Sequence, residues 1–490
     1  MTTLSTKFSG RRMLSAVWLA THACVACGGS DSRVPGDAFL DSGGTSASGG
    51  INSNGGMGGC ELSPNDASDS CMADASAGSG LGNGGNVGSA GRSAAAGAAG
   101  TPDLAEGGTS GDQGASGASG ENGASGESNS PFVPAPHVPY PRVAYHGGPI
   151  IKNLELVPVY FGDDPLRDDL ERFTTWIGAS DYWTKAGAEY GVYEGKHLTA
   201  AHFEKVPTSP ISDSQIATWI DARVADGSLP KPSVNTVFVL FFPAETTITA
   251  GTSASSCNDF AALHEFAAIA NPVFTGNVPF AIIPRCSFSP GDELMIATNS
   301  ASHELFEAAT NPLSTDPAWH LDGPDGSPLE AWQILGGLEV ADLCQSHYYD
   351  VIDGFTVQRI WSDKAAQAGD NPCQPNDPRH PFFSVTADLT IYHAQPGTTL
   401  EVHALAWSNQ PTADWKLGVN WVSVPGSDFD GQAVLSRATV NNGDEVTATI
   451  TIPATLPVTI GRSVYRFSID SIDPINPNFA NPWPFMIVVP

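Results

Sequence analysis

The string Ser302-His303-Glu304-Leu305-Phe306-Glu307 sets an imidazole and a carboxylate four residues apart. On a helix four residues advance the chain by about 400°, so His303 and Glu307 point the same way and form two arms of a metal site. Glu304 stands beside the pair, where an HExxH zinc peptidase keeps the general base that deprotonates water. Here Glu307 replaces the second histidine of that motif, and HExxE alone is a short signal that an ordinary charged helix also produces. A catalytic zinc needs three protein ligands and one open position, and it accepts carboxylate oxygen. Gly337-Leu338-Glu339-Val340-Ala341-Asp342-Leu343-Cys344 offers two carboxylates, so Glu339 or Asp342 supplies the third ligand. If Glu339 binds, Asp342 is free to orient the His303 ring from behind. A second pair, His264-Glu265, reads as part of a short helix and makes His264 a candidate ligand.

These residues need a scaffold. The stretch from Glu293 through the Ser302-to-Asn311 string reads as one helix that Pro312 terminates. Leu154 to Phe161, Val234 to Phe242 and Pro279 to Pro284 read as strands, the second so continuously apolar that both its faces must be covered. Leu166 to Ile177 and the segment capped by Ser212 read as helices. The pattern predicts an α/β or α+β domain over residues 131–375. Past Pro375 the chain changes to strands separated by turn signals: Phe383 to Tyr392, Thr399 to Trp407, Lys416 to Val424, Glu445 to Ile452, Ser463 to Asp470 and Phe485 to Val489. That density without helical period predicts an all-β, immunoglobulin-like sandwich over 376–490. Its Trp407, Trp415, Trp421 and Trp483 are either core or a sugar-binding platform.

The N-terminal quarter has another character. Lys7, Arg11 and Arg12 precede the short apolar run Met13 to Ala26, the pattern of an export signal over residues 1–27. Cys27 then opens a Gly/Ser/Asp-rich segment, as in the lipobox of bacterial lipoproteins, although Cys24 occupies the position usually held by Leu; simple secretion is the alternative to a lipid anchor in the membrane. Residues 28–130 hold Phe39 as their sole aromatic and too few large apolar groups for a core, which predicts a disordered tether containing an isolated Cys60–Cys71 pair. Cys257, Cys286, Cys344 and Cys373 allow three disulfide pairings, of which proximity favours 257 with 286 and 344 with 373. The chain has 52 acidic and 22 basic residues, and 131–490 alone carries a net charge of −23. Such a balance lacks the basic footprint of a nucleic-acid binder.

From about residue 145 to 350 the motifs resemble the Exordium, or phosphate-induced protein 1, family and its bacterial secreted relatives. The resemblance runs through Tyr145-His146-Gly147-Gly148-Pro149, Val159-Tyr160-Phe161-Gly162, Ser180-Asp181-Tyr182-Trp183, Glu189-Tyr190-Gly191-Val192, Cys257 with His264, and Pro284-Arg285-Cys286. It is closest at His303-Glu304-Leu305 with Glu307, Asn311-Pro312, Trp319 and Glu339-Val340-Ala341-Asp342-Leu343-Cys344. It implies a zincin-like domain and, at His264, a side chain that faces the cleft to bind substrate or donate to an oxyanion. Two functions follow as expectations: an exported zinc metallohydrolase, foremost a peptidase acting on a peptide or cell-wall-associated substrate, or a catalytically silent cell-surface module that binds cell-wall carbohydrate or a signalling partner. Oligomeric state is not written in these patterns.

Overall fold

A mixed sheet carries the N-terminal half of the folded chain. The computed structural model describes residues 131–490 except 252, 322–327, 336, 346–348, 377, 423–428, 430, 456–462 and 475–478. The export signal, Cys27, the 28–130 tether and the Cys60–Cys71 pair lie outside the described residues. Strands β1 (Asn153–Phe161), β2 (Tyr193–His197), β3 (Ala201–Phe203), β4 (Thr236–Phe241), β5 (Leu263–Ala270) and β6 (Thr275–Ile283) form the sheet, in the order β2-β1-β4-β6-β5 with β3 also on β1. All pairings are parallel except that of β5, which runs antiparallel to β6 at the edge.

The alternation of apolar side chains explains why both faces are covered. Leu154, Leu156 and Tyr160 of β1 face one cluster with Val237, Val239 and Phe241 of β4, while Val157, Val159 and Phe161 face a second with Phe238 and Leu240. Helix α1 (Arg167–Ile177), α2 (Asp181–Gly187) and α4 (Glu293–Thr310) belong to the first face through Leu170, Phe173, Trp183, Leu305 and Phe306. Helix α3 (Asp213–Ala225) covers the second through Ile216, Ile220 and Val224, and Ser212 with Gln215 closes its N-terminus in a capping box. The pair His264-Glu265 sits on edge strand β5 rather than on the short helix that the sequence suggests. A helix-like string adopts a strand here because eight residues pair with β6 along the 263–270 hairpin arm, and this tertiary pairing overrides local preference.

Past Pro375 two sheets stack. One has the order β9 (Phe383–Ala387), β11 (Thr399–Ser408), β15 (Glu445–Thr451), β13 (Gln432–Leu435). The other runs β10 (Ile391–His393), β17 (Ala480–Val489), β16 (Ser463–Ile472), β12 (Trp415–Val422), β14 (Thr439–Val440). The single strand expected over 383–392 is broken at 388–390, and its two parts join different sheets. Phe383 meets Trp415 across the interior at 5.1 Å between ring centroids. Trp407, Trp415 and Trp483 are buried and only Trp421 is exposed, so three of the four indoles are core and no platform of four exists.

The described residues belong to one compact unit, and an aromatic cluster around Tyr140 joins its two architectures. Tyr140 packs against Trp332 and Trp361 from the mixed-sheet segment and against Phe382, Trp407 and Trp483 from the sandwich, all within 6.3 Å between ring centroids. Truncating such a ring leaves a cavity that neighbours close only in part. Tyr140→Ala is expected to cost about 3–5 kcal/mol, by analogy with other buried aromatic truncations. Hydrogen exchange should show protection falling together in β4 and β16; loss confined to one segment would refute a shared core.

Candidate metal centre

Helix α4 is buried on nearly every side. Small residues Ala297, Ala301, Ala308 and Ala309 let it approach its neighbours closely, and its polar positions Ser302, His303, Glu304, Glu307 and Thr310 are buried as well. Asn311, preceding Pro312, leaves the helical conformation and ends the helix. Four residues of helix bring His303 Nε2 to 3.1 Å from Glu307 Oε2, as the sequence spacing implies.

Three other elements close around this face. The register of β5 sets His264 opposite Ala281, whose side chain belongs to the α4 side of the sheet, so the imidazole points at the helix. His264 Nδ1 lies 3.2 Å from Glu304 Oε2 and 3.4 Å from Glu307 Oε2. The Glu339–Asp342 turn delivers the two remaining carboxylates: Asp342 Oδ1 is 3.7 Å from His303 Nε2, and Glu339 Oε2 is 3.8 Å from His264 Nε2. This turn is pinned by the Val340 carbonyl accepting from Trp361 N at 2.9 Å and by the Cys344–Cys373 disulfide just behind it. The Cys257–Cys286 disulfide ties the chain entering β5 to the chain leaving β6, across the open end of that hairpin. Both are the pairs that proximity favours.

Gln358 and Asn311 complete the centre, and sequence reasoning assigned neither a role. Gln358 ends strand β8 (Phe355–Gln358), which packs on α4. Its Nε2 donates to the Ala341 carbonyl at 2.7 Å, which leaves Oε1 to accept from His303 Nδ1 at 2.9 Å. His303 therefore carries its proton on Nδ1 and turns Nε2 inward. Asp342, expected as a candidate for orienting that ring from behind, lies on the Nε2 side instead; the Gln358 amide holds Nδ1 because β8, not the 339–342 turn, passes behind the helix. His264, expected as a ligand or a donor toward substrate, is inside the carboxylate cluster. Asn311 donates to Glu339 Oε1 and accepts from Ala318 N at 2.8 Å, so the residue that stops α4 also anchors Glu339. A polar residue closing the apolar strand Phe355-Thr356-Val357-Gln358 was the only sequence signal for Gln358. Of the other histidines, His146 and His320 meet at the β-bridge of Ala144–Tyr145 with Trp319–His320, and His347 lies outside the described residues.

Among the described residues two groups of donors satisfy the spacing for an ion: His303, Glu304 and Glu307, and His264, Glu307 and Glu339, with ligand atoms within 4.8 Å of one another in each. Ligands that share one zinc at 2.0–2.2 Å stand roughly 3–4 Å apart, and the His303–Glu307, His303–Asp342, His264–Glu307 and His264–Glu339 separations fall in that range. The chemistry of the donors, imidazole nitrogen with carboxylate oxygen, fits a zinc-like ion.

No family model matches the chain, and no curated protein matches it. Among solved structures, domains 4 and 5 of the S-layer protein SbsC align over 22% of this chain and 53% of theirs, at 11% identity and a TM-score of 0.16. A β-glucosidase from Listeria innocua aligns over 71% of this chain and 48% of its own, at 11% identity and a TM-score of 0.17. The chain spans about half the length of each, and likenesses this remote carry no argument.

Without a cation the charges in the centre must settle among themselves. Burial disfavours charged imidazoles, yet Glu307 and Glu304 outweigh it at His303, and Glu339 with Glu304 at His264, holding both rings well above their ordinary range. Burial opposes ionisation of Glu307 too, but His303 and His264 overcome it and hold its carboxyl far below the usual range. Burial and the Glu307 charge push Glu339 well up and Asp342 to about 8. A raised group stabilises the fold below its unfolded value and loses that contribution as pH climbs through its folded value; a lowered carboxyl such as Glu307 does the reverse at acid pH. The metal-free protein should therefore lose thermal stability as pH rises from about 5 to about 9, and Asp342→Asn should flatten the part of that slope below about 8. Melting curves in chelator across this range test the idea; a level profile for both proteins would sink it.

Proposed function

We propose that this chain is an exported divalent-metal hydrolase, a peptidase in the first instance, with zinc as its natural cofactor. The observation that carries the reading is the approach of Glu307 Oε2 and Asp342 Oδ1 to His303 Nε2, at 3.1 and 3.7 Å, next to a buried Glu304. These three residues would hold the ion. Zinc there would supply Lewis acidity, lowering the pKa of a water toward ~7. Glu304 accepts the proton of the attacking water and returns it to the leaving amine. His264 Nδ1–H donates to Glu304 Oε2 and fixes where that carboxylate points. Gln358 holds the His303 tautomer, which keeps Nε2 available as a donor atom to the ion.

The peptide reading draws support from β5. It is an edge strand beside α4, and an extended chain can pair with such an edge through main-chain hydrogen bonds. A mixed sheet with one antiparallel edge strand next to a helix bearing HExxE is also what a zincin-like domain would look like, and the resemblance to the Exordium type rests on the same motifs. The strand order of the C-terminal sheets, with short β10 parallel to β17, agrees with an immunoglobulin-like sandwich. Export, with a lipid on Cys27 or simple secretion, would place two disulfides in the oxidising compartment they need.

Glu304→Gln and Glu307→Gln should separate the roles. The first should leave zinc affinity nearly intact and lower turnover of a peptide substrate about 10²- to 10⁴-fold, the usual value of acid–base assistance. The second should weaken zinc binding first and activity as a consequence. Zinc titration alongside initial rates reads both; full rate in Glu304→Gln would defeat the mechanism. A folded protein that takes up no zinc would favour the silent surface module.

A further inference from the structure

With all four carboxyls ionised, the centre would carry more negative charge than one divalent ion offsets. Glu304, Glu307 and Glu339 are at most 8% exposed, and Asp342 completes a set of four carboxylates. Among the described residues their ion-pair partners are His264 and His303, with no Lys or Arg. Uncompensated buried charge of this size is costly.

Three of the carboxylates follow one pattern, in which one oxygen is tied down and the other faces an imidazole. Glu307 Oε1 accepts from Asp342 N at 3.2 Å, Asp342 Oδ2 accepts from Glu339 N at 3.1 Å, and Glu339 Oε1 accepts from Asn311. The opposite oxygens, Glu307 Oε2, Asp342 Oδ1 and Glu339 Oε2, are the atoms that approach His303 and His264. Among the described residues two donor groups share Glu307: His303, Glu304 and Glu307 on one side, and His264, Glu307 and Glu339 on the other.

Resting on the metal reading above, we propose that the centre binds a pair of divalent cations bridged by Glu307, the second held by His264 and Glu339. Two divalent cations balance four carboxylates, and paired ions about 3.5–4 Å apart are an established arrangement for hydrolysis. His264 serves both neighbours: Nε2, on the Glu339 side, faces the second ion, while Nδ1–H remains to donate to Glu304. A carboxylate–imidazole donor set suits first-row divalent ions such as Zn²⁺ and Mn²⁺.

The test uses the whole chain, stripped by chelator and titrated with Mn²⁺, with stoichiometry from calorimetry and coupling between ions from electron paramagnetic resonance. Two equivalents per chain with an exchange-coupled spectrum are expected, and Glu339→Gln should bind one equivalent with the six-line spectrum of an isolated ion. If Glu339→Gln does not melt cooperatively, His264→Gln replaces it with the same expectation. One equivalent in the unaltered chain overturns the second ion and leaves the proposed hydrolase standing; no binding of either Mn²⁺ or Zn²⁺ overturns both. Two equivalents retained by the variant would overturn the assignment to His264 and Glu339.

Discussion

The structure is organised around the burial of charge on one helix. His303, Glu304 and Glu307 occupy a face of α4 that is almost sealed from water, although charged groups of this kind are rarely buried without partners. What surrounds them is accordingly polar and specific. Gln358 meets His303, His264 meets Glu304 and Glu307, and the Glu339–Asp342 turn closes the remaining side. A helix that only needed to pack on a sheet would carry apolar residues at these positions. Buried ionisable clusters with perturbed pKa values gather at functional sites and in structural ion-pair networks alike.

The rest of the mixed-sheet segment can be understood as support for that arrangement. Alternating apolar residues in β1, β4 and β6 bury both faces of the sheet and make a rigid floor for α4. Antiparallel addition of β5 at the edge turns His264 to the helix side; a register shift by one residue would send it to the opposite face and bring Glu265 in. The Cys257–Cys286 bridge ties the open end of the hairpin, and the Cys344–Cys373 bridge follows directly on the Glu339–Asp342 turn. Each cross-link thus lies next to an element that brings an imidazole or a carboxylate to α4, and each restrains a segment that has little regular structure of its own.

The C-terminal sandwich contributes through packing. Tyr140, from the chain segment that precedes β1, sits among tryptophans of both architectures, and Ala331 of the mixed-sheet segment packs with Met486 and Val488 of β17. The 339–342 turn follows closely on Trp332 in sequence, so the sandwich buttresses the chain that delivers Glu339 and Asp342. Its burial of Trp407, Trp415 and Trp483 removes most of the surface on which a carbohydrate platform could have been built.

Local pattern was enough to find α4, its end at Asn311-Pro312, the shared face of His303 and Glu307, and the main strands, because each depends on spacing along a few turns of chain or on the alternation of apolar groups. It was enough as well to favour the two disulfides, since each pair is separated by only 29 residues. Local pattern placed His264 on a short helix, read strand 383–392 as continuous, and assigned no role to Gln358 or Asn311. Those features depend on pairing between distant parts of the chain: β5 takes its conformation and facing from β6, and the break after Ala387 is visible only once two sheets exist to receive the two parts. Gln358 reaches His303 across 55 residues and Asn311 reaches Glu339 across 28. A side chain acquires a partner at such separations only when the backbone has been folded to bring them together, so the imidazole and carboxylate residue types were written in the sequence while the shape of the centre was decided by the tertiary fold.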